Sequence, residues 1–152
     1  MNTTVDFETR ADRHTVFAPC ELSLAACELQ ATRLRSWALI RGETITGLPF
    51  LRLRDGGETE VHLPVAGTIA PHSQVGVTAE ETPHSTLAVV HDVAFGSLPN
   101  VVQEVRARIA ANHSTAGAAE FHPAGREAWK MGTLAWPVRE APGVDSRVAI
   151  SA

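Results

Sequence analysis

The sequence has 152 residues, a length that suits one domain of ordinary size. Thirteen Lys and Arg residues against 17 Asp and Glu residues give a formal net charge of −4, which argues against a general nucleic-acid binder with a basic stripe. No apolar run approaches the ~20 residues that cross a bilayer, and the polar N-terminus does not resemble a signal peptide, so we expect a cytoplasmic protein without a membrane partner.

The first half of the chain predicts an arm followed by strands. Residues 1–18 are polar without periodicity, and we expect them to be disordered or loosely docked. Residues 19–29 fit a short helix and a strand entry, and both alternatives stay open. Alternation of apolar and polar residues then predicts three strands, at residues 33–41, 48–54 and 60–65, followed by a loop over 67–73.

The second half repeats the scheme more completely. Strands are predicted over 74–79 and 85–93, and Ser97 is a suitable N-cap for a following helix. The apolar stripe of that amphipathic helix consists of Leu98, Val101, Val102, Val105 and Ile109.

Residues 126–130 and 133–138 predict a hairpin that turns at Met131 and Gly132. Because strands outnumber helices, the predicted class is α+β, with helix packed on a mostly antiparallel sheet.

The residues contain no standard metal or catalytic motif. None of the seven histidines forms an HxH, HxxxH or HExxH pair, so we expect no metal and no cofactor. No GxSxG, P-loop or GxGxxG pattern is present. Cys20 and Cys27 match neither a disulfide framework nor a zinc spacing, which fits a reducing compartment. His91 and Asp92 are adjacent in a predicted strand and therefore point to opposite faces.

Glu127 is the most specific chemical signal. In the predicted strand it shares a face with Trp129 and Met131, whose burial would partly desolvate the carboxylate. A neighbouring arginine would compensate this cost, and so would a cationic ligand attracted by the carboxylate and by indole faces. Both interpretations stay open. Other rings that could wall the same cavity are Trp136, Trp37 and Phe50.

Four segments in order carry a family resemblance. They are GLPFLRL at 47–53, EVHLPVAG at 60–67, LAVVHDVAFGSLPNVVQEVRARIAANH at 87–113 and PAGREAWKMGTLAWPV at 123–138. They resemble the G-x-P-F, E-V-x-x-P-V-A, A-x-x-x-H-x-G-P-Y-x-x-L and P-A-G-x-x-R-E-x-Y…T-x-x-x-W-P-V elements of the GyrI-like small-molecule-binding family. That family also supplies the effector domain of multidrug-responsive transcription regulators.

The resemblance implies a pseudo-twofold pair of strand–helix–strand–strand units with the ligand in the cleft between them. Only five residues separate Arg41 from Gly47, where the family carries the helix of the first unit. We therefore expect a truncated first unit, or one whose helix is formed by residues 19–29. The chain is divided into an arm at 1–28, a ligand-binding domain at 29–140 and a tail at 141–152.

The resemblance also implies the site residues. Glu127 stands at the position of the family's carboxylate, and Trp129 stands where a tyrosine is usual. Phe95, Phe50 and Trp136 match the ring positions of G-P-Y, G-x-P-F and W-P-V, while Trp37 and His91 complete the candidate ligand-binding set. The sequence has no tyrosine, so phenol hydroxyls are missing from this pocket.

Three functions are weighed. The favoured one is a stand-alone protein that binds an amphipathic, cationic or polycyclic small molecule. We expect no direct nucleic-acid contact, because the residues before the domain are too few for a helix-turn-helix. A homodimer is left open. The alternative is a hydrolase, similar to GyrI-like proteins that open strained electrophilic rings of natural products, with Glu127 as the base. The third is a scaffold with a vestigial pocket.

Overall fold

The computed structural model describes residues 4–54, 57–66, 77–109, 113–115 and 117–140, which form nine strands and two α-helices. The elements in chain order are β1 Asp6–Arg10, β2 Arg13–Pro19, α1 Leu24–Ile40, β3 Phe50–Leu53, β4 Thr59–Val65, β5 Thr78–Thr82, β6 Ser85–Ala94, α2 Leu98–Ile109, β7 His113–Thr115, β8 Ala119–Gly125 and β9 Ala128–Glu140. The loop predicted over 67–73, the first part of the strand predicted over 74–79 and the tail at 141–152 lie outside the described residues.

The strands form one antiparallel sheet in the order β1-β6-β9-β8-β3-β4-β2-β5, and β7 pairs with the end of β9. Two strand–helix–strand–strand units, β2–α1–β3–β4 and β6–α2–β8–β9, meet where β8 pairs with β3. The strand before each unit pairs with the first strand of the other unit, β1 with β6 and β5 with β2. The predicted α+β class and the two-unit arrangement are therefore confirmed.

The two halves of the sheet are joined at one end by short connections. β1 ends at Arg10 opposite Ser85, and β2 begins at Arg13 opposite Thr82, although β1 and β2 lie in different halves. Two residues thus link β1 to β2, and two more link β5 to β6. Because these links are short, the sheet has to curl until its two halves approach each other there. One face of the sheet becomes the inside of this curl.

Both helices pack on the outer face of the curled sheet. α1 starts after Ser23, whose hydroxyl accepts a hydrogen bond of 3.1 Å from the Ala26 N–H. It contacts β2, β4 and β9, while α2 contacts β6 and β7. The core between helices and sheet contains Cys27, Ala31, Leu34 and Ala38 from α1, Leu98, Val101 and Val105 from α2, and alternate strand residues such as Val16, Leu63 and Trp136. Leu98, Val101, Val102 and Val105 of the stripe predicted for α2 thus face this core.

The N-terminal prediction is wrong, because the residues predicted as a disordered or loosely docked arm supply two strands. β1 and β2 are paired along their lengths with β6, β4 and β5. Val16 and Ala18 are buried towards the helices, whereas Thr15 and Phe17 point into the curl. The polar Thr15 of β2 is therefore internal rather than solvent-facing, whereas Asp6 and Glu8 of β1 are exposed.

The strand predicted over 33–41 is helical, and this corrects the expected truncation. Leu34 and Ala38 are four residues apart and share the buried side of α1. The predicted strand placed Ile40 on the same face as Leu34 and Ala38, but Ile40 is 85% exposed at the end of the helix. The helix of the first unit precedes Arg41 and includes most of the ambiguous segment 19–29, so this unit is complete.

The predicted hairpin at Met131 and Gly132 is also wrong. The chain turns at 126–127, and β9 runs without interruption from Ala128 to Glu140. A Cβ on Gly132 would lie 2.3 Å from the His122 carbonyl oxygen and 2.7 Å from the Phe121 ring. This glycine therefore permits a close approach of β8 to β9 rather than a turn.

Candidate functional site

Glu127 lies in the turn between β8 and β9 and is exposed. The premise that it is half-buried on a strand face with Trp129 and Met131 is therefore wrong, and Met131 is itself 43% exposed. Glu127 and Trp129 nevertheless line one cleft of about 530 Å³ on the helix side. The other residues of this helix-side cleft are Glu28, Ala31, Thr32, Arg35, Ser36, Leu39, Pro49 and Arg126.

The other predicted rings do not surround a common cavity. Trp129 and Trp136 are both buried in the helix-side core, and they lie on the same strand instead of across a hairpin. Phe95 packs edge-to-face on Phe121 with ring centroids 5.8 Å apart. The guanidinium of Arg41 lies 4.8 Å from the centroid of the Trp37 ring.

His91 and Phe50 lie on the helix-free side. The ring of His91 is half exposed near the edge strand β1. Its Nε2 lies 3.7 Å from the Asp6 carboxylate, and its Nδ1 lies 3.3 Å from the Thr133 hydroxyl. Phe50 is fully buried on the inside of the curl. The structure thus brings together only two of the predicted residues, Glu127 and Trp129, in one cleft.

A buried carboxylate that the sequence analysis missed, Glu120, occupies the centre of the helix-free face. Its side chain is 1% exposed, and its Oε1 accepts hydrogen bonds from Arg10 Nη1 at 2.7 Å and from His122 Nε2 at 3.0 Å. Its Oε2 accepts one from Arg13 Nη2 at 2.6 Å and lies 3.5 Å from Arg52 Nη2. Arg10 and Arg13 come from the two halves of the sheet, so the curl itself assembles this cluster.

The surrounding charges keep Glu120 ionised. Burial alone would raise the pKa of this carboxyl group, but the hydrogen bond from His122 and the charges of Arg13 and Arg10 hold it well below its usual range. Burial also lowers the pKa of Arg13 to about 10, against the opposing effect of Glu120, which leaves the guanidinium charged at neutral pH. The cluster is therefore a set of charged groups held inside the protein.

Four rings stack beside this cluster, one from each of four neighbouring strands. In sheet order they are Phe17, His62, Phe50 and His122, and we call them the ring ladder. Successive ring centroids are 4.6, 5.1 and 4.6 Å apart, with interplanar angles of 18°, 12° and 24°. The Arg13 guanidinium lies 4.2 Å from the Phe50 centroid, which adds a cation–π contact.

His62 is fixed in one neutral form. Burial lowers its pKa below the ordinary value of 6.5, although the hydrogen bond from its ring to Glu60 opposes this shift. Glu60 only accepts, so Nε2–H donates to its Oε1 at 3.0 Å, and Nδ1 accepts from the Thr15 hydroxyl at 2.9 Å. His122, which forms one end of the ring ladder, is less buried than His62, since its side chain is 34% exposed.

A second cleft, of about 570 Å³, reaches the buried charges from the end where the two halves of the sheet approach each other. Its lining includes Arg52, Glu80, Thr82 and Glu120. Arg52 also forms an ion pair with Glu80, so it links the wall of this cleft to the central carboxylate. Small molecules can therefore approach the Glu120 cluster through this turn-side cleft.

The residues that the structure describes contain no group of three or more His, Cys, Asp or Glu side chains placed to hold a metal ion. Neither of the two helices in these ranges is long and apolar enough to span a membrane.

No protein-family model and no curated protein sequence matches the chain. Solved structures do match it. The EcmrR C-terminal domain superposes with a TM-score of 0.70 at 14% identity, over 93% of this chain and 100% of that domain. SAV2435, solved in complex with tetraphenylphosphonium, superposes with a TM-score of 0.50 at 15% identity, over 91% of this chain and 94% of that one.

This chain has the GyrI-like fold. EcmrR in its complex with DNA also superposes, with a TM-score of 0.70 at 12% identity over 91% of this chain, and this GyrI-like chain spans 58% of that EcmrR chain. The fold that the sequence motifs implied is thereby confirmed. At these identities the likeness concerns the fold alone.

Proposed function

We propose that this GyrI-like chain binds a small aromatic molecule on the inside of its curled sheet, stacked on the exposed His122 end of the ring ladder. The observation that carries the proposal is the composition of this face. A face that served packing alone would bury apolar side chains, yet four polar or charged residues are buried here: Glu120, Arg52, His62 and Thr15. Flat rings beside a few convergent polar groups are typical of small-molecule sites.

The structural likenesses support the same class of function. SAV2435 is a protein of this fold solved with tetraphenylphosphonium, a small molecule made of aromatic rings. In this chain the described helices cover only the outer face, and the inner face carries the ring ladder, whose His122 ring is partly exposed. A ring placed on His122 would extend the ladder by one member.

The helix-side cleft is the second location for the same function. Glu127 and Trp129 line it, as the sequence analysis expected, but Trp129 is 1% exposed and offers little indole face to a guest. The ring ladder presents an accessible ring next to a charged cluster, and for this reason we place the ligand there.

The hydrolase hypothesis is not carried further, because the burial that was to activate Glu127 is missing. Glu120 is no substitute for that base. Its two oxygens already have four cationic or imidazole donors within 3.5 Å, which leaves little basicity for taking a proton from water.

The proposal is tested by titrating the protein with 2-naphthamide and with tetraphenylphosphonium in a calorimeter. We expect saturable binding of at least one probe, weakened about fivefold by His122→Ala, the equivalent of an aromatic contact of about 1 kcal/mol. Glu127→Gln separates the two locations. A larger loss with Glu127→Gln than with His122→Ala would move the ligand to the helix-side cleft, and no binding of either probe would contradict the function.

A further inference from the structure

We infer that the polar group recognised beside the ring ladder is an oxyanion, a carboxylate or phosphate carried by the aromatic ligand and held by Arg10 and Arg13. This inference rests on the proposed function and names its ligand class. It differs from the cationic ligand that the sequence analysis favoured.

Arg10 supplies the main argument. Its Nη1 binds Glu120, whereas its Nε and Nη2 are buried and have no hydrogen-bond partner among the residues that the structure describes. These two nitrogens form one edge of the guanidinium, the edge that binds a carboxylate or phosphate through two parallel hydrogen bonds. Buried donors are normally paired, so a free edge of this kind indicates a missing acceptor.

Two further donors without a partner lie at the same end of the curl. They are Arg13 Nε and the Thr82 hydroxyl, again judged against the described part of the chain. Arg13 and Thr82 face each other across β2 and β5, and paired residues of antiparallel strands project to the same side. Thr82 also lines the turn-side cleft. Two guanidiniums and a hydroxyl together match the acceptors of an oxyanion.

The charges of the cluster favour an anion as well. The guanidiniums that pair here are Arg10, Arg13, Arg52 and Arg54, and the carboxylates are Glu120, Glu60 and Glu80. Within these ion pairs four positive groups face three negative ones, and the turn-side cleft adds one group of each sign, Arg139 and Glu81. Burial lowers the pKa of His62, so it adds little to the positive side. An entering anion would balance the excess, whereas an entering cation would add to it in a region of low effective dielectric constant.

The free edge of Arg10 lies close to the exposed end of the ring ladder. Arg10 Nη1 and His122 Nε2 donate to the same oxygen of Glu120, at 2.7 and 3.0 Å. A flat ring stacked on His122 therefore lies within reach of the Arg10 guanidinium through a short substituent. Because the Arg10 guanidinium and the His122 ring are adjacent, we infer a single ligand that has both an aromatic ring system and an anionic group.

The test uses three probes of one shape and three charges: 2-naphthoate, 2-naphthamide and 2-naphthamidine. For the unmodified chain we expect the naphthoate to bind about tenfold more tightly than the amide, since hydrogen bonds to charged groups are the stronger ones. The amidine should bind most weakly. Calorimetry at constant ionic strength measures all three dissociation constants.

Arg10→Lys keeps the positive charge near Glu120 but removes the two-donor edge. We expect it to bring the naphthoate affinity down to that of the amide and to leave the amide unchanged. Arg33→Lys, on the exposed side of α1, is the matched control and should change neither affinity. Thr82→Val has nearly the same shape without the hydroxyl, and it should weaken the naphthoate alone even if Arg10→Lys fails to fold.

The outcomes separate the two proposals. If the amide or the amidine binds as tightly as the naphthoate, ordered water rather than a ligand satisfies Arg10, and the oxyanion inference is wrong while the binding function stands. If no member of the series binds, the proposed function itself fails. If the naphthoate binds best but Arg10→Lys and Thr82→Val have no effect, the anion lies elsewhere and the inference is overturned.

Discussion

Glu120 is the residue on which the helix-free face depends most, because three guanidiniums and His122 converge on its carboxylate. Removing the negative charge leaves Arg10 and Arg13 without their counterion, while Arg52 keeps its ion pair with Glu80. We expect Glu120→Gln to lower the free energy of unfolding by about 3–5 kcal/mol.

Urea denaturation of the variant measures this loss. Glu127→Gln is a suitable comparison, because the same change at an exposed turn should stay within about 0.5 kcal/mol. Equal stabilities of the two variants would show that the Glu120 cluster contributes nothing net to folding.

Acid should destabilise the protein, in two stages. Burial lowers the pKa of His62 below 6.5, so the unfolded chain takes up this proton first and stability falls as the pH drops below about 6.5. The hydrogen bonds from His62 and Arg54 outweigh burial and lower the pKa of Glu60 from 4.5 to about 2, so its contribution is present above pH 4.5 and is lost towards pH 2.

Denaturant titrations in steps of one pH unit from pH 7 to pH 2 measure this dependence. His62→Gln should flatten the part between pH 7 and 5 and leave the lower part in place. A free energy of unfolding that rises as the pH falls from 7 to 5 would contradict the neutral, buried state of His62.

Among single residues, one ring of the ladder was predictable from the sequence, whereas the buried charges were not. Phe50 was selected through a motif and does lie on the helix-free face. Glu120 and His122 alternate with the buried Phe121, a pattern that usually indicates a solvent-facing side of a strand. Only the curl, which brings Arg10 and Arg13 from distant strands, makes that side internal.

At the scale of elements, α1 is the part that local pattern misassigned. Leu34 is 2% exposed and faces the sheet, whereas Leu39 is 60% exposed. We expect Leu34→Ala to cost about 2–5 kcal/mol of unfolding free energy because it leaves a cavity under the helix. Leu39→Ala, the same change on the outer side, should be nearly neutral. If residues 33–41 formed a strand with Leu39 in its buried face, the order would be reversed.

The close contact of β8 and β9 at Gly132 gives a second prediction for the elements. An added methyl group would meet the His122 carbonyl oxygen at 2.3 Å, and backbone cannot move aside as a flexible side chain can. Gly132→Ala should therefore lower stability by about 1–3 kcal/mol, the usual cost of overpacking. Gly96→Ala is the control, since a Cβ there has nothing within 4 Å.

The same contact explains why the hairpin was predicted at the wrong place. In a single sequence, a glycine between two apolar segments indicates a turn, and Met131–Gly132 fits that pattern. The true turn, Arg126–Glu127, carries charged residues that suit several structures. The strands β3, β4 and β6 and helix α2 were predictable because each buries a regular apolar pattern against the same core.

At the scale of the whole molecule, the two units exchange their leading strands, and this exchange creates the helix-free face on which we propose the ligand site. β1 and β5 each precede one unit and pair with the first strand of the other, so the connections at 11–12 and 83–84 draw the two halves together. Such pairings join residues as far apart as Arg10 and Glu120, and periodicity within a short segment contains no information about them. For this reason the fold class followed from the sequence while the site did not.

The most direct test of the account is a nuclear magnetic resonance titration with 2-naphthoate that follows histidine ring and tryptophan indole signals. We expect the ring protons of His122 to show the largest shifts and contacts to the naphthyl protons, with smaller changes at Phe17 and none at the Trp129 indole. Contacts between the probe and residues 126–129 or α1, with unchanged His122 signals, would place the ligand in the helix-side cleft and contradict the central claim.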